Sequence, residues 1–209
     1  MSEHTTSDRP TQRERYHHGD LRRALLDAAR HLLETGAQGG VTLRAAAQAA
    51  GVSAAAPYRH FKDREALLAA VMTEGFIELA EATELARDEA PDPISAYLAI
   101  GHAYLGFAVA NPRLYRLMFG IECNKPGHPD LLAAEQRAFG VVMQAARDCA
   151  AAGVIGTRAP EHVALAGWTI VHGLATLHVD GALGVVLPMT LPDAAEALFS
   201  ILIEGVEPR

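Results

Sequence analysis

Two cysteines in 209 residues, Cys123 and Cys149, are too few for a disulfide-stapled secreted fold or a cysteine-rich metal site. The first residues are the polar series Ser2 to Ser7, where a secretory signal needs an apolar core. A reducing, cytoplasmic setting is therefore expected. No period-2 apolar run bounded by turn residues stands out, which excludes a parallel sheet. The stretch from His162 to Val179 lacks Asp, Glu, Lys and Arg, but it includes three histidines, two glycines and two threonines. It reads as a buried helix, and no membrane association is expected.

What the chain does have is 50% hydrophobic and 21% charged residues, enough to bury a core and too apolar for a disordered protein. The net charge of -7 is unevenly spread. Residues 1–64 hold ten Lys/Arg against seven Asp/Glu, a net of +3, whereas residues 65–209 hold eight against eighteen. A basic end on an acidic body fits a nucleic-acid footprint, and fits ordinary surface variation as well.

Apolar residues recur at helical spacing along most of the chain, so an all-α fold of about nine helices is expected. Residues 1–14 form a polar arm without periodicity. Residues 15–64 form a first domain and residues 65–209 a second. Leu21, Leu25, Ala28 and Leu32 trace one face of a helix that opens near Gly19-Asp20 and closes at Thr35-Gly36. Two short helices follow around Gly51, at Thr42 to Ala49 and Ser53 to His60, with the length of a helix-turn-helix. Asp63 caps a long helix with the apolar stripe Leu67, Leu68, Val71, Met72, Phe76 and Leu79 and a solvated glutamate side, Glu74, Glu78, Glu81 and Glu84. Prolines and glycines then punctuate helices at Ile94 to Ala110, Arg113 to Ile121, Asp130 to Ala152, Ala159 to about Ala182 and Pro192 to about Gly205.

The first domain carries the sharpest chemistry. Free N–H groups at a helix N-terminus attract phosphate oxygens, so Thr42 and Ser53 stand where a DNA backbone would bind. Their hydroxyls would cap these helices in any protein, for about 1 kcal/mol each. Tyr58, His60 and Lys62 extend the surface with groups able to donate to phosphate. Arg44 and Gln48 lie on the preceding helix, and Arg13 and Arg15 lie on an arm able to reach a minor groove. Phe61 belongs to the core, and His17, His18 and His31 to the solvated surface.

The residues Val41-Thr42-Leu43-Arg44, Ala50-Gly51-Val52-Ser53 and Pro57-Tyr58-Arg59-His60-Phe61-Lys62-Asp63-Arg64-Glu65-Ala66-Leu67-Leu68 resemble the DNA-binding domain of TetR-family transcriptional regulators. The resemblance covers about 50 residues. It implies a regulator, usually a repressor, that acts as a homodimer on a palindromic double-stranded operator and responds to a small-molecule effector. Gly167-Trp168 and His172-Gly173, with Tyr16 to Leu21, resemble the Trp-His-Gly subgroup of these proteins. The chain departs from the family pattern at Ala54, Ala55, Ala56 and Pro57. With Ser53 as the cap, Pro57 would be the fourth helical residue and would cost only the first hydrogen bond, so the helix is expected to survive. Ala54 and Ala55 offer a thymine methyl contact and no hydrogen bond, which leaves base reading to Arg44, Gln48, Tyr58, Arg59 and DNA shape.

The second domain reads as a sensor and dimer module. Candidate ligand contacts are Phe76, His102, Tyr104, Phe107, Leu117, Met118, Phe119, Trp168 and His172, each equally readable as plain core. Trp168 and His172, four apart on one helix face, also fit a structural pair. The last two helices carry apolar stripes: Val163, Gly167, Ile170, Leu174 and Leu177 on one, and Ala194, Ala197, Leu198, Ile201 and Leu202 on the other. They suit a symmetric homodimer interface, with Gly167, Ala175 and Ala197 allowing close approach. No metal and no cofactor is expected, because no His-x-x-x-His or Glu-x-x-His pair occurs and His172 and His178 point to different faces. No nucleophile elbow or catalytic cysteine context is present, so the chain does not read as an enzyme. The alternative to a DNA-binding regulator is a helical protein-interaction module that no longer binds DNA.

If Arg44 and Gln48 read bases, replacing either by Ala changes relative affinity across operator variants. Equal losses on every variant, measured by duplex titration, would refute base reading there.

Overall fold

The computed structural model describes residues 18–121, 125–186 and 188–206. The described residues hold nine α-helices, two 3₁₀ turns and no strand. The chain divides into two units, Met1–Leu67 and Leu68–Arg209.

In the first unit, α1 (His18–Thr35) packs against α2 (Leu43–Ala49), burying Leu25, Leu26 and Ala29 together with Leu43, Ala46 and Ala47. Thr42 caps α2 as expected, its hydroxyl accepting from the Ala45 N–H at 3.1 Å. The helix ends at Gly51, whose φ of +70° suits glycine. Gly51 N–H reaches the Gln48 carbonyl and Val52 N–H the Ala47 carbonyl, the paired closure that satisfies a helix end at a glycine. The α3 helix (Arg64–Asp88) opens on Asp63, whose carboxylate accepts from the Ala66 N–H at 2.8 Å. Arg64 ties this start back to the strand-like approach to α2 by donating to the Val41 carbonyl at 2.8 Å.

The expected helix over Ser53 to His60 is instead a 3₁₀ turn, Ala56–Arg59. Pro57 explains the change. It has no N–H for the Ser53 carbonyl, and its ring disfavours helical backbone at Ala56. The Ser53 carbonyl accepts from Ala56 instead, and the Pro57 carbonyl takes both the His60 and Phe61 N–H groups. The expected Ser53 hydroxyl cap is accordingly not formed. Pro57 and Phe61 are buried, so the turn is held by packing rather than by a helical ladder.

The second unit is built on α4 (Pro93–Ala110), α6 (Pro129–Ala151) and α7 (Pro160–Val179), which pack mutually, with α9 (Leu191–Val206) on α7. The short α5 (Pro112–Phe119) packs on α4, and α8 (Leu183–Val186) follows α7. The core joins Tyr97 and Ile100 of α4 to Val141, Val142, Ala145 and Cys149 of α6, Val163 and Ala164 of α7, and Leu202 of α9. By length and composition α4 could cross a membrane, yet it packs against α6 and α7 in this core. Arg137 of α6 grips Glu84 of α3 through both carboxylate oxygens, at 3.0 and 2.6 Å. Cys149 is buried, its thiol donating to the Pro93 carbonyl at 3.2 Å, and burial pushes that thiol up to about 11.

One contact fixes how closely α4 approaches α7. The Tyr97 hydroxyl passes over Gly167 and donates to the Val163 carbonyl at 2.6 Å. A Cβ at Gly167 would collide with the Tyr97 hydroxyl and sit 2.8 Å from the ring carbon that bears it. We expect Gly167→Ala to lower stability by about 1–3 kcal/mol, as overpacking does. Tyr97→Phe should recover part of the loss in the double variant. An unchanged melting temperature for Gly167→Ala would overturn this account.

Candidate nucleic-acid interface and ligand cavity

The first unit displays most of its candidate residues on the surface. Arg44 and Gln48 of α2 are exposed, as are Ser53, Ala54, Ala55, Arg59 and Lys62. Tyr58 is 62% exposed, which removes it from the core and leaves its phenol available to solvent. Lys62 lies 3.7 Å from Asp63, a loose pairing that leaves its side chain 80% exposed. Thr42 is half-buried by its capping role. His60 departs from expectation: it is partly buried, and its Nε2 is enclosed without a hydrogen-bond partner, so that nitrogen does not face outward. Arg22 stacks 5.6 Å over the Phe61 ring and supports the turn from behind. Arg13 and Arg15 lie outside the described residues.

The second unit holds a cavity of about 320 Å³ between α3, α4, α5, α6, α7 and α9. Its wall combines Phe76, Leu79 and Thr83 with Tyr97, Leu98, Ile100, Gly101 and Tyr104, then Phe119, then Glu135, Ala138, Phe139 and Val142. Gly167, Trp168, Val171, Phe199 and Leu202 close it. Trp168 meets Phe139 edge to face at 5.7 Å and stacks on His172 at 5.4 Å. Behind this wall lies a polar node. The hydroxyls of Tyr104 and Tyr115 each stand 2.9 Å from His172 Nδ1, and Tyr115 also reaches the His172 carbonyl at 3.2 Å and Thr176 at 3.3 Å. These distances fit an assignment in which Tyr104 donates to Nδ1 and Tyr115 to the carbonyl, with His172 neutral.

The electrostatics agree with that assignment. Burial holds the His172 imidazole below its ordinary range, and the Lys125 ammonium pushes the same way. Burial also raises the phenols of Tyr97 and Tyr104 far above the usual tyrosine range, so both keep their protons. Lys125 pairs with Glu135 at 2.7 Å and lies over the rings of Phe76 and Phe119, 5.0 and 5.5 Å from their centroids.

Comparison with known proteins decides the family. Residues 25–71 match the model of bacterial regulatory proteins of the tetR family, and residues 97–206 match that of the tetracyclin repressor-like C-terminal domain. The chain belongs to the TetR family. An HTH-type transcriptional regulator of Mycobacterium tuberculosis is 36% identical over 93 residues, 44% of this chain and 39% of its own length. The nucleoid occlusion factor SlmA of Vibrio vulnificus is 38% identical over 106 residues, 47% of this chain and 51% of its own. The chain thus spans about two fifths to one half of the curated relatives it matches. A solved protein of unknown function from Rhodococcus sp. RHA1 is 34% identical, with a TM-score of 0.82 over 93% of this chain and 100% of that one. A TetR family transcription regulator from Marinobacter aquaeolei VT8 shares the fold at 18% identity, with a TM-score of 0.66 over 90% and 96%. TetR-family proteins are transcriptional regulators rather than enzymes.

Within this TetR-family chain, Phe76, Tyr104, Phe119 and Trp168 line the cavity as candidate contacts, whereas other candidates do not. Met118 is buried under Gly75, Phe107 and Leu117 are buried away from the cavity, and His172 stands one layer behind it. His102 is half-exposed, 3.6 Å from Glu196 and edge to face with Phe199. Glu135, Ala138, Phe139 and Val142 escaped the sequence reading although their i, i+3, i+4, i+7 spacing marks one face of α6. Tyr97, Gly101 and Tyr104 carry the same signal on α4. Gly167 and Ala175 are buried within the unit, so neither is free for a partner.

A depressed His172 pKa means the unfolded chain takes up a proton before the folded one as pH falls. Its stabilising contribution is then complete above the ordinary histidine value of 6.5 and declines as pH drops toward the folded value. His172→Gln should flatten this part of the melting-temperature profile between pH 7.5 and 5. Parallel profiles for the two proteins would refute the assignment.

Proposed function

We propose that this chain is a ligand-responsive, DNA-binding transcriptional regulator, a cytoplasmic repressor released from a palindromic operator by a small molecule. The observation that carries the reading is the exposed group Arg44, Gln48, Tyr58, Arg59 and Lys62 on the unit that matches the tetR family model. These side chains supply two guanidinium groups, an ammonium, an amide and a phenol, the donors that phosphates and base edges accept. Thr42 and Ser53 add backbone contacts, Ala54 and Ala55 thymine methyl contacts, and Arg15 a minor-groove contact. His60 contributes by shaping the turn.

The effector site in this reading is the cavity, with Phe76, Phe119 and Trp168 in contact and His172 acting through Trp168. The α3 helix supplies part of the wall through Phe76, Leu79 and Thr83. A molecule that prefers one tilt of α3 shifts the population between DNA-matching and non-matching dimers. The dimer forms through α7 and α9. Leu165, Thr169, Gly173 and Leu177 make an exposed row at four-residue spacing on α7, and Ala197 and Ile201 make another on α9. Gly173 and Ala197 take over the close-approach role expected of Gly167.

A second reading, a protein-interaction module without DNA binding, draws on the 3₁₀ turn that replaces the recognition helix and on the bare methyl groups before it. Fluorescence anisotropy against a duplex from upstream of the coding sequence, beside a scrambled duplex, separates the two. The regulator should bind the native duplex selectively, with log affinity falling by about 0.9 per phosphate contact as log salt rises, and Lys62→Ala should reduce that slope by about one contact. Ile201→Glu should yield a monomer by sedimentation and weaken operator binding. Absence of duplex binding at low salt favours the interaction module.

A further inference from the structure

The cavity wall is one-sided in its hydrogen bonding. Four of the side chains that line it carry polar hydrogens, and the three hydroxyls among them are committed within the protein. The Thr83 hydroxyl donates to the Leu79 and Ala80 carbonyls, both at 2.9 Å, and the Tyr97 hydroxyl to the Val163 carbonyl. The Tyr104 hydroxyl stands 2.9 Å from His172 Nδ1. The acceptors tell the opposite story. Thr83 and Tyr97 keep oxygen lone pairs, and Glu135 brings a carboxylate of which only Oε1 is paired among the described residues.

One corner of the wall already holds an ammonium. Lys125 Nζ sits 2.7 Å from Glu135 Oε1 and lies over Phe76 and Phe119, so two ring faces and a carboxylate, all from cavity-lining residues, surround a single cation. The ring faces and the carboxylate oxygens of this corner attract positive charge alike, and Lys125 occupies the place they make for it. A carboxylate entering the same space would be desolvated against Glu135 and two ring faces, and would have to compete with Glu135 for Lys125.

We infer that the cavity selects a compact, largely apolar molecule bearing a protonated amine, which shares or takes over the Phe76, Phe119 and Glu135 corner from Lys125, and that it rejects carboxylates of the same shape. This rests on the cavity being the effector site and specifies the effector's chemical class.

The chain's single tryptophan lines the cavity, so its emission reports occupancy directly. Three probes of matched shape, 4-phenylbutylamine, 4-phenylbutan-1-ol and 4-phenylbutyrate, are titrated into the full chain at pH 7 and constant ionic strength. The amine should bind at least about tenfold more tightly than the carboxylate, with the alcohol between them. Glu135→Gln should bring amine and alcohol together, and Lys125→Met should strengthen amine binding by vacating the corner. Alcohol binding without amine preference, or a preference that survives Glu135→Gln, overturns the inference and leaves the cavity as an effector site. Absence of a Trp168 response to all three probes at millimolar concentration overturns both.

Discussion

The second unit depends on a phenol that crosses a helix where there is no side chain. Tyr97 needs an acceptor for a buried hydroxyl, and Gly167 lets it reach one in the backbone of α7. That single constraint draws α4 against α7 and fixes where the cavity-facing sides of both helices stand. Tyr104 lies two helical turns beyond Tyr97, and Trp168 is the next residue after Gly167. The geometry of the polar node therefore follows from the same contact. An unpaired hydroxyl in this interior would cost more than its hydrogen bond contributes, so the arrangement holds as a set.

Legibility in the sequence followed locality. Thr42 and Asp63 act within three residues of themselves, as does the glycine at the end of α2, and the helix boundaries they set are where the sequence puts them. The recognition segment departs from a helix because the effect of Pro57 goes beyond its missing N–H. Its buried ring has a packing role in the unit's core, which no count of hydrogen bonds reveals. Aromatic character alone was also a poor guide to the cavity. It pointed to His102, which helical rotation turns toward solvent, and passed over Glu135 and Val142, whose position relative to Phe76 and Trp168 is a matter of tertiary packing.

The two units differ in how they use polar groups. In the first, charged and amide groups stand outward on a small core, so their contribution depends on salt and on whatever they meet. Around the cavity of the second, polar groups turn inward and pair with one another, leaving a wall of rings and methylenes beside the ion pair of Lys125 and Glu135. No described acidic side chain of residues 65–209 is buried, so the acidic excess of that stretch is met by solvent.

Cys149 gives the fold a built-in clock. Its thiol is enclosed by α4 and α6, holds the Pro93 carbonyl and resists ionisation, so it offers no thiolate to an oxidant or alkylating reagent while the core is closed. Modification at this residue requires the two helices to separate. The rate at which a reagent finds it in the intact protein measures how often that core opens, independently of any ligand or partner.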